Sequence, residues 1–258
     1  MTEQVLVAID KGVQILTLNR PDKKNALNAE MYQALAAGLD RAERDSAIRV
    51  TLITGTGGAF TSGSDVSIFA AANATPVDSA EPGNPFIPRL LATEKPVVAA
   101  VNGTAVGIGV TMLLHCDLVY AAQSATFQVP FVRLGLVPEL GSSLLLPRLI
   151  GSQKAAELFL MAKKIDAEQA EALGLVAEVF EDDALTSQAL ARAQALAAMP
   201  PTAVRATRKL MKGPDGPLVA AQIEAEDSHF FSQMRSAEAK EAFTAFFEKR
   251  PADFSKLS

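Results

Sequence analysis

The stretch that most constrains this chain is residues 97–109, Val97-Val98-Ala99-Ala100-Val101-Asn102-Gly103-Thr104-Ala105-Val106-Gly107-Ile108-Gly109. Five consecutive apolar residues read as a buried strand, and the glycines spaced behind them read as a turn that opens into a helix. Such a junction exposes backbone donors. The first N–H groups of a helix have no partner inside it, and the local dipole favours developing negative charge. That makes the junction a natural place to hold an oxyanion, while a turn that merely requires glycine would have the same letters. A dinucleotide-binding fingerprint fits poorly, because Met112 stands where its third glycine belongs.

The order of strand, glycine turn and helix recurs along the chain. Residues 5–9 and 13–18 flank Asp10-Lys11-Gly12 and predict a hairpin. A helix capped by Asn28 follows, with Met31, Leu35, Leu39 and Ala42 at helical spacing, and residues 50–54 open a strand that ends in glycine. Residues 107–115 predict an apolar helix, 118–122 another strand, and 73–88, rich in proline and alanine, a mobile flap. From Ser142 onward the pattern is helical, with capping candidates at Ser142, Ser152 and Asp166 and a strand over 176–180. Pro200-Pro201 breaks the chain. Residues 202–211, 218–234 and 237–249 then predict three amphipathic helices, too few to bury their own apolar faces. The expected architecture is α/β, with a core over 1–199 and a helical region over 200–258 that packs on the body or on a neighbouring subunit.

Several function classes are disfavoured at once. A chain of 258 residues with 49% apolar content can bury a substantial core, which argues against disorder. Its net charge of −5 and the absence of any basic block speak against nucleic acid as a partner. The single cysteine, Cys116, excludes an internal disulfide, and two histidines without spaced thiols or carboxylates make a metal site improbable. Residues 1–10 carry no basic start before a long apolar stretch, and no later run reaches membrane-spanning length. A cytoplasmic protein without a membrane partner is expected. Neither Ser64 nor Ser142 has glycines on both sides at the spacing of a nucleophile elbow, which disfavours a serine hydrolase.

A second glycine turn, Ala59-Phe60-Thr61-Ser62-Gly63-Ser64-Asp65-Val66, also leads into a helix and can supply a second donor to the same oxygen. Asp65 reads as the local cap of that turn. With Asn19-Arg20-Pro21 and Asn25-Ala26-Leu27-Asn28 upstream, these two segments resemble the crotonase, or enoyl-CoA hydratase/isomerase, superfamily over nearly the whole chain. The resemblance implies a spiral of repeated β-β-α units with a C-terminal helical trimerisation region, and thus a homotrimer or a dimer of trimers. It implies oxyanion-hole amides on Ser64 and Ile108, and backbone contacts to coenzyme A around Ala26, Leu27, Ser62, Gly63, Ser64, Asp65 and Val66. Coenzyme A arrives as part of an acyl thioester substrate, so no separate cofactor is expected.

The hydratases of that superfamily carry two glutamates, and Thr111 and Phe131 stand at the matching positions here. Adding water across a double bond suits paired carboxylates, and neither position offers one. A carboxylate does occur in Leu134-Gly135-Leu136-Val137-Pro138-Glu139-Leu140-Gly141-Ser142-Ser143, a segment that resembles the monofunctional enoyl-CoA delta isomerase branch. By that resemblance Glu139 is the proton shuttle that moves a β,γ double bond to the α,β position. An acidic residue simply placed near a helix start is the plain alternative. A hydratase-like or other crotonase reaction and a non-catalytic acyl-CoA-binding protein also remain open. Arg20, Lys23, Lys24, Lys249 and Arg250 are candidates to meet the coenzyme's phosphates, against the default of solvated surface charge.

Overall fold

The computed structural model describes residues 3–69, 84–255 and 257. Strands β1 (Val5–Asp10) and β2 (Val13–Leu18) form the expected hairpin. Its two loop residues, Lys11 and Gly12, both take positive φ (46° and 82°), the backbone that a two-residue hairpin loop demands. Helix α1 (Ala29–Arg44) starts where Asn28 accepts a hydrogen bond from the Met31 N–H, and it buries Met31, Leu35 and Leu39 against the sheet.

Three strand pairs then follow one rule. Strands β3 (Val50–Gly55), β5 (Val97–Val101) and β7 (Leu118–Ala122) each enter one sheet, and each is followed within a few residues by a strand of a second sheet: β4 (Ala59–Thr61), β6 (Thr104–Val106) and β8 (Thr126–Gln128). The first sheet runs β1-β2-β3-β5-β7-β10, parallel apart from the hairpin, and the second runs β4-β6-β8-β9, where β9 is Ile165–Asp166 and β10 is Glu178–Phe180. Helical backbone follows each second-sheet strand: residues 66–69 after β4, α3 (Ile108–Thr111) after β6, and a 3-10 turn over Phe131–Leu134 after β8. This is a repeated β-β-α winding. All five residues of β5 are buried, as its unbroken apolar run requires.

Several local expectations need correction. The apolar helix expected over 107–115 is a single α-helical turn, α3, that tightens into a 3-10 turn over Met112–His115. Most of the flap expected over 73–88 lies outside the described residues, but its end is ordered: α2 (Phe86–Ala92) begins there. The Asn84 side chain accepts from the Phe86 N–H at 3.0 Å, Phe86 stacks on Tyr32, and Pro88 sits in the first turn, where no N–H is needed. Ser142 and Ser152 do not cap their helices. Each is the first residue of its helix, α4 (Ser142–Ile150) and α5 (Ser152–Leu160), behind a glycine in positive φ, Gly141 at 70° and Gly151 at 81°. Asp166, like Asn28, caps as expected, in a reciprocal pair with Gln169 at the start of α6 (Ala167–Ala172).

Helix α7 (Leu185–Ala197) packs across β2, β3, β5 and β7. Three helices follow: α8 (Pro201–Lys212), α9 (Gly216–Met234) and α10 (Ala237–Glu248). They dock on the body through a charged latch and two packing contacts. Arg208 Nε donates to the Asp117 carboxylate at 2.8 Å, and Lys212 Nζ reaches both Asp117 and the His115 carbonyl, the latter at 2.6 Å. Helix α9 lies on α4, and α10 on the 3-10 turn over Phe131–Leu134. None of the described helices is long and apolar enough to cross a membrane.

Candidate active site

The two glycine turns lie against each other. A Cβ on Gly63, whose φ is +92°, would sit 2.8 Å from the Val106 carbonyl oxygen, and one on Gly109 would sit 2.6 Å from Thr61 Cγ2. Glycine is required at both places because the Val106 carbonyl in one and the Thr61 side chain in the other leave no room for a Cβ.

Pairing with residues 24–27 orients the first turn. The Leu27 N–H donates to Gly63 O (2.8 Å), and the Asp65 N–H donates to Leu27 O (2.9 Å). In a parallel bridge of this kind the intervening residue directs its own groups the other way, so Ser64 N–H faces away from Leu27. In the second turn Gly107 O accepts from the N–H groups of Val110 and Thr111, and Ile108, as first helical residue, has no acceptor inside the helix. Among the described residues no acceptor takes the N–H of Ser64 or of Ile108. Two unclaimed donors on touching loops can stabilise one oxyanion.

Glu139 stands in a tight turn opposite these loops. The Ser142 N–H donates to Glu139 O at 3.1 Å, and the two residues between, Leu140 and Gly141, both have positive φ, 61° and 70°. Leucine takes this conformation only at a cost of about 1 kcal/mol, so the surroundings must hold it. His115 does so in part: its ring donates from Nε2 to Leu140 O at 2.8 Å. Burial pushes the His115 imidazole down to about 4, so it works as a neutral donor.

Contacts around the carboxyl tie these pieces together. Tyr32 Oη and Ser64 Oγ share a hydrogen bond of 2.6 Å, which links α1 to the first turn. Burial and then the nearby Glu139 carboxylate hold the Tyr32 phenol well above its usual range. Glu139 keeps a small opening to solvent, but protein atoms surround its carboxyl. Its pKa is pushed up to about 8, first by lost hydration and then by the negative charges of Glu226 and Asp227 on α9. Burial also raises Asp227. The Thr111 hydroxyl, buried without a partner of good hydrogen-bond geometry among the described residues, lies close enough to Glu139 to favour its charged form. A carboxyl poised near neutral pH beside two unclaimed amides can take a proton from carbon and return it.

Other residues singled out by sequence have local duties. Asp65 accepts from Ser67 N–H and Oγ and pairs with Arg20 at 2.9 Å, which is the cap it resembled. Arg20 also donates to Ala26 O. Leu27 has its N–H and carbonyl engaged and its side chain fully buried, while the Ser62 N–H donates to Lys24 O. Lys23, Lys24 and Lys249 are exposed, and Arg250 pairs with Glu241 and Glu248. Val66 opens the helical backbone over 66–69. Phe131, Leu136 and Leu140 are buried in the core cluster. Cys116 is buried and free, its thiol pushed up to about 12. Tyr32, His115, Glu226 and Asp227 were not recognised from sequence as parts of the site. Each reads there as an ordinary core or surface position of a helix, and no local motif distinguishes it.

The family model described as enoyl-CoA hydratase/isomerase matches residues 8–256. The chain is 36% identical to the 1,2-epoxyphenylacetyl-CoA isomerase of Escherichia coli (strain K12) over 99% of each chain. It is 36% identical to enoyl-CoA delta isomerase 2 of Rattus norvegicus over 96% of this chain and 64% of that protein. A crystal structure of an enoyl-CoA hydratase/isomerase from Pseudoalteromonas atlantica T6c superposes with a TM-score of 0.91 at 43% identity, covering 98% of this chain and 100% of that one. Proteins named "Probable enoyl-CoA hydratase" and "2,3-dehydroadipyl-CoA hydratase" match as well.

Proposed function

The chain belongs to the enoyl-CoA hydratase/isomerase family, and from that premise we propose that it moves a β,γ double bond of an enoyl-CoA thioester to the α,β position. Its fold is the crotonase fold that the motifs implied. The observation that carries the reading is the enclosed carboxyl of Glu139, raised to about 8, where Thr111 and Phe131 occupy the two positions that hydratases fill with glutamate.

In this mechanism Glu139 removes the α-proton, and the electron pair moves onto the thioester carbonyl to give a dienolate. The N–H groups of Ser64 and Ile108 donate to its oxygen. The same carboxyl then returns the proton to the γ-carbon, so no water is consumed and one base suffices. A carboxyl pKa near 8 strengthens the base, and removal of solvent strengthens both amide donors. Coenzyme A belongs to the substrate, and no further cofactor is required.

The coenzyme's contacts fall to the backbone around Ala26, Leu27 and residues 62–66. In this reading the acyl end would enter a cleft of about 300 Å³ whose lining includes Leu90, Leu114, Val219 and Ile223 together with the charged Arg208, Lys212 and Asp215. Val219 and Ile223 also approach Gly141, which places that cleft beside the Glu139 turn. Leu210, Met211, Phe246 and Phe247 are exposed on the C-terminal helices and are the residues a trimer or a dimer of trimers would cover, an assembly that light scattering checks.

Incubation with paired β,γ- and α,β-unsaturated CoA esters tests the reaction. Double-bond migration should outpace water addition by at least about a hundredfold. A 3-hydroxyacyl product forming as fast as the shifted alkene would move the assignment to the hydratases.

A further inference from the structure

Glu226 lies on α9, far along the chain from Glu139, and is buried. Its carboxyl closes onto the turn that follows the base. Oε2 accepts from the Gly141 N–H at 2.6 Å, and Oε1 accepts from the Ser143 N–H at 2.8 Å and from the Ser143 hydroxyl. Gln222, one helical turn earlier, donates to the same hydroxyl at 2.8 Å and so aligns it. Gly141 and Ser143 flank the start of α4, where N–H groups lack intrahelical partners. The cap that sequence places on Ser142 is therefore supplied by a carboxylate from the C-terminal helical region.

We infer that Glu226 is a positioning residue for the catalytic base: from α9 it clamps the left-handed turn behind Glu139 and sets a negative charge next to it. The inference rests on the reading of Glu139 as the base. Two observations lead to it. The turn holds Leu140 in a conformation that leucine avoids, and its restraints are His115 on the Leu140 carbonyl and Glu226 on the amides of Gly141 and Ser143. Glu226 is also the first of the charges that raise Glu139. Among the described residues, the groups facing Glu139 are Glu226 and Asp227 from α9, the Tyr32 phenol from α1, the Thr111 hydroxyl from α3 and the neutral His115 ring beyond the turn. Lys212 and Arg208 bear on His115 rather than on the base. Removal of the Glu226 charge therefore makes Glu139 easier to ionise and a weaker base.

Glu226→Gln tests both halves, because the amide's NH2 would face a backbone N–H and the clamp would set donor against donor. The variant should lose roughly tenfold or more in kcat with KM changed less than about twofold, since the coenzyme's contacts lie elsewhere. The acid limb of its kcat/KM profile should move at least about half a pH unit toward acid. Ser143→Ala, which removes one donor and keeps the charge, should lower kcat about threefold and leave the limb in place. Titration of the Glu139 carboxyl by ¹³C NMR on glutamate-labelled protein, assigned against Glu139→Gln, gives the same shift without any substrate. If Glu226→Gln folds, judged by circular dichroism, and keeps both its rate and the Glu139 titration point, the inference is overturned. If Glu226→Gln does not fold, an unchanged kcat in Ser143→Ala overturns it instead. Absence of double-bond migration in the wild-type protein would sink the proposed function while the NMR titration still reported on Glu226.

Discussion

The loops around Ser64 and Ile108 are locked by direct contact with each other, Gly63 against the Val106 carbonyl and Gly109 against the Thr61 side chain, whereas the turn around Glu139 is held by side chains from remote elements. His115 takes the carbonyl of that turn and Glu226 takes its amides. The difference separates two jobs. In the proposed mechanism the oxyanion hole is made of main chain, which tolerates almost any side chain, so serine and isoleucine can both serve there. A base held by side chains can be tuned: burial first, and then the charges of Glu226 and Asp227, push the Glu139 carboxyl up to about 8.

The comparison predicts where each half breaks. Gly63→Ala should be severe, since the new methyl meets Val106 O and the backbone is at φ +92°. We expect a loss on the order of 2–4 kcal/mol in stability and about a hundredfold in turnover, measured by denaturant titration and steady-state kinetics. A near-normal Gly63→Ala enzyme would mean that the loops are not locked by backbone contact.

Ser64→Ala should do little, because only the Oγ contact to Tyr32 is lost while the N–H remains and Asn84 still faces the phenol. Turnover within about threefold of wild type and a stability loss of about 1 kcal/mol are expected. A hundredfold loss would place the Ser64 hydroxyl, not its amide, in the chemistry.

Sequence legibility follows the same division. Strands β1, β2, β3, β5 and β7 and the two glycine turns are marked by local patterns, because apolar runs and glycine positions report burial and backbone conformation directly. The Glu139 turn was found only through its resemblance to a family segment, and what holds it was not legible. Ser142 looks like a helix cap, yet the capping oxygens come from Glu226, more than eighty residues away and indistinguishable in sequence from a solvated acid on an amphipathic helix. His115 reads as a core residue of an apolar helix, and its bond to Leu140 O depends on a conformation that no leucine announces. The end of the flap reads as loop because Pro85 and Pro88 surround Phe86, but Asn84 and the packing of Phe86 on Tyr32 start a helix there.

Exchange of the substrate's α-proton in deuterated water, followed across pH in wild type and Glu139→Gln, probes the base itself. For a carboxyl near 8, kcat/KM for exchange should climb about tenfold per unit below that pH and level off above it, as the deprotonated form becomes the whole population. Glu139→Gln should lose at least about a thousandfold while still binding the CoA ester. Exchange that persists in the Gln variant would assign the proton to some other group, and a wild-type profile already flat from about pH 5 would contradict the raised carboxyl of Glu139.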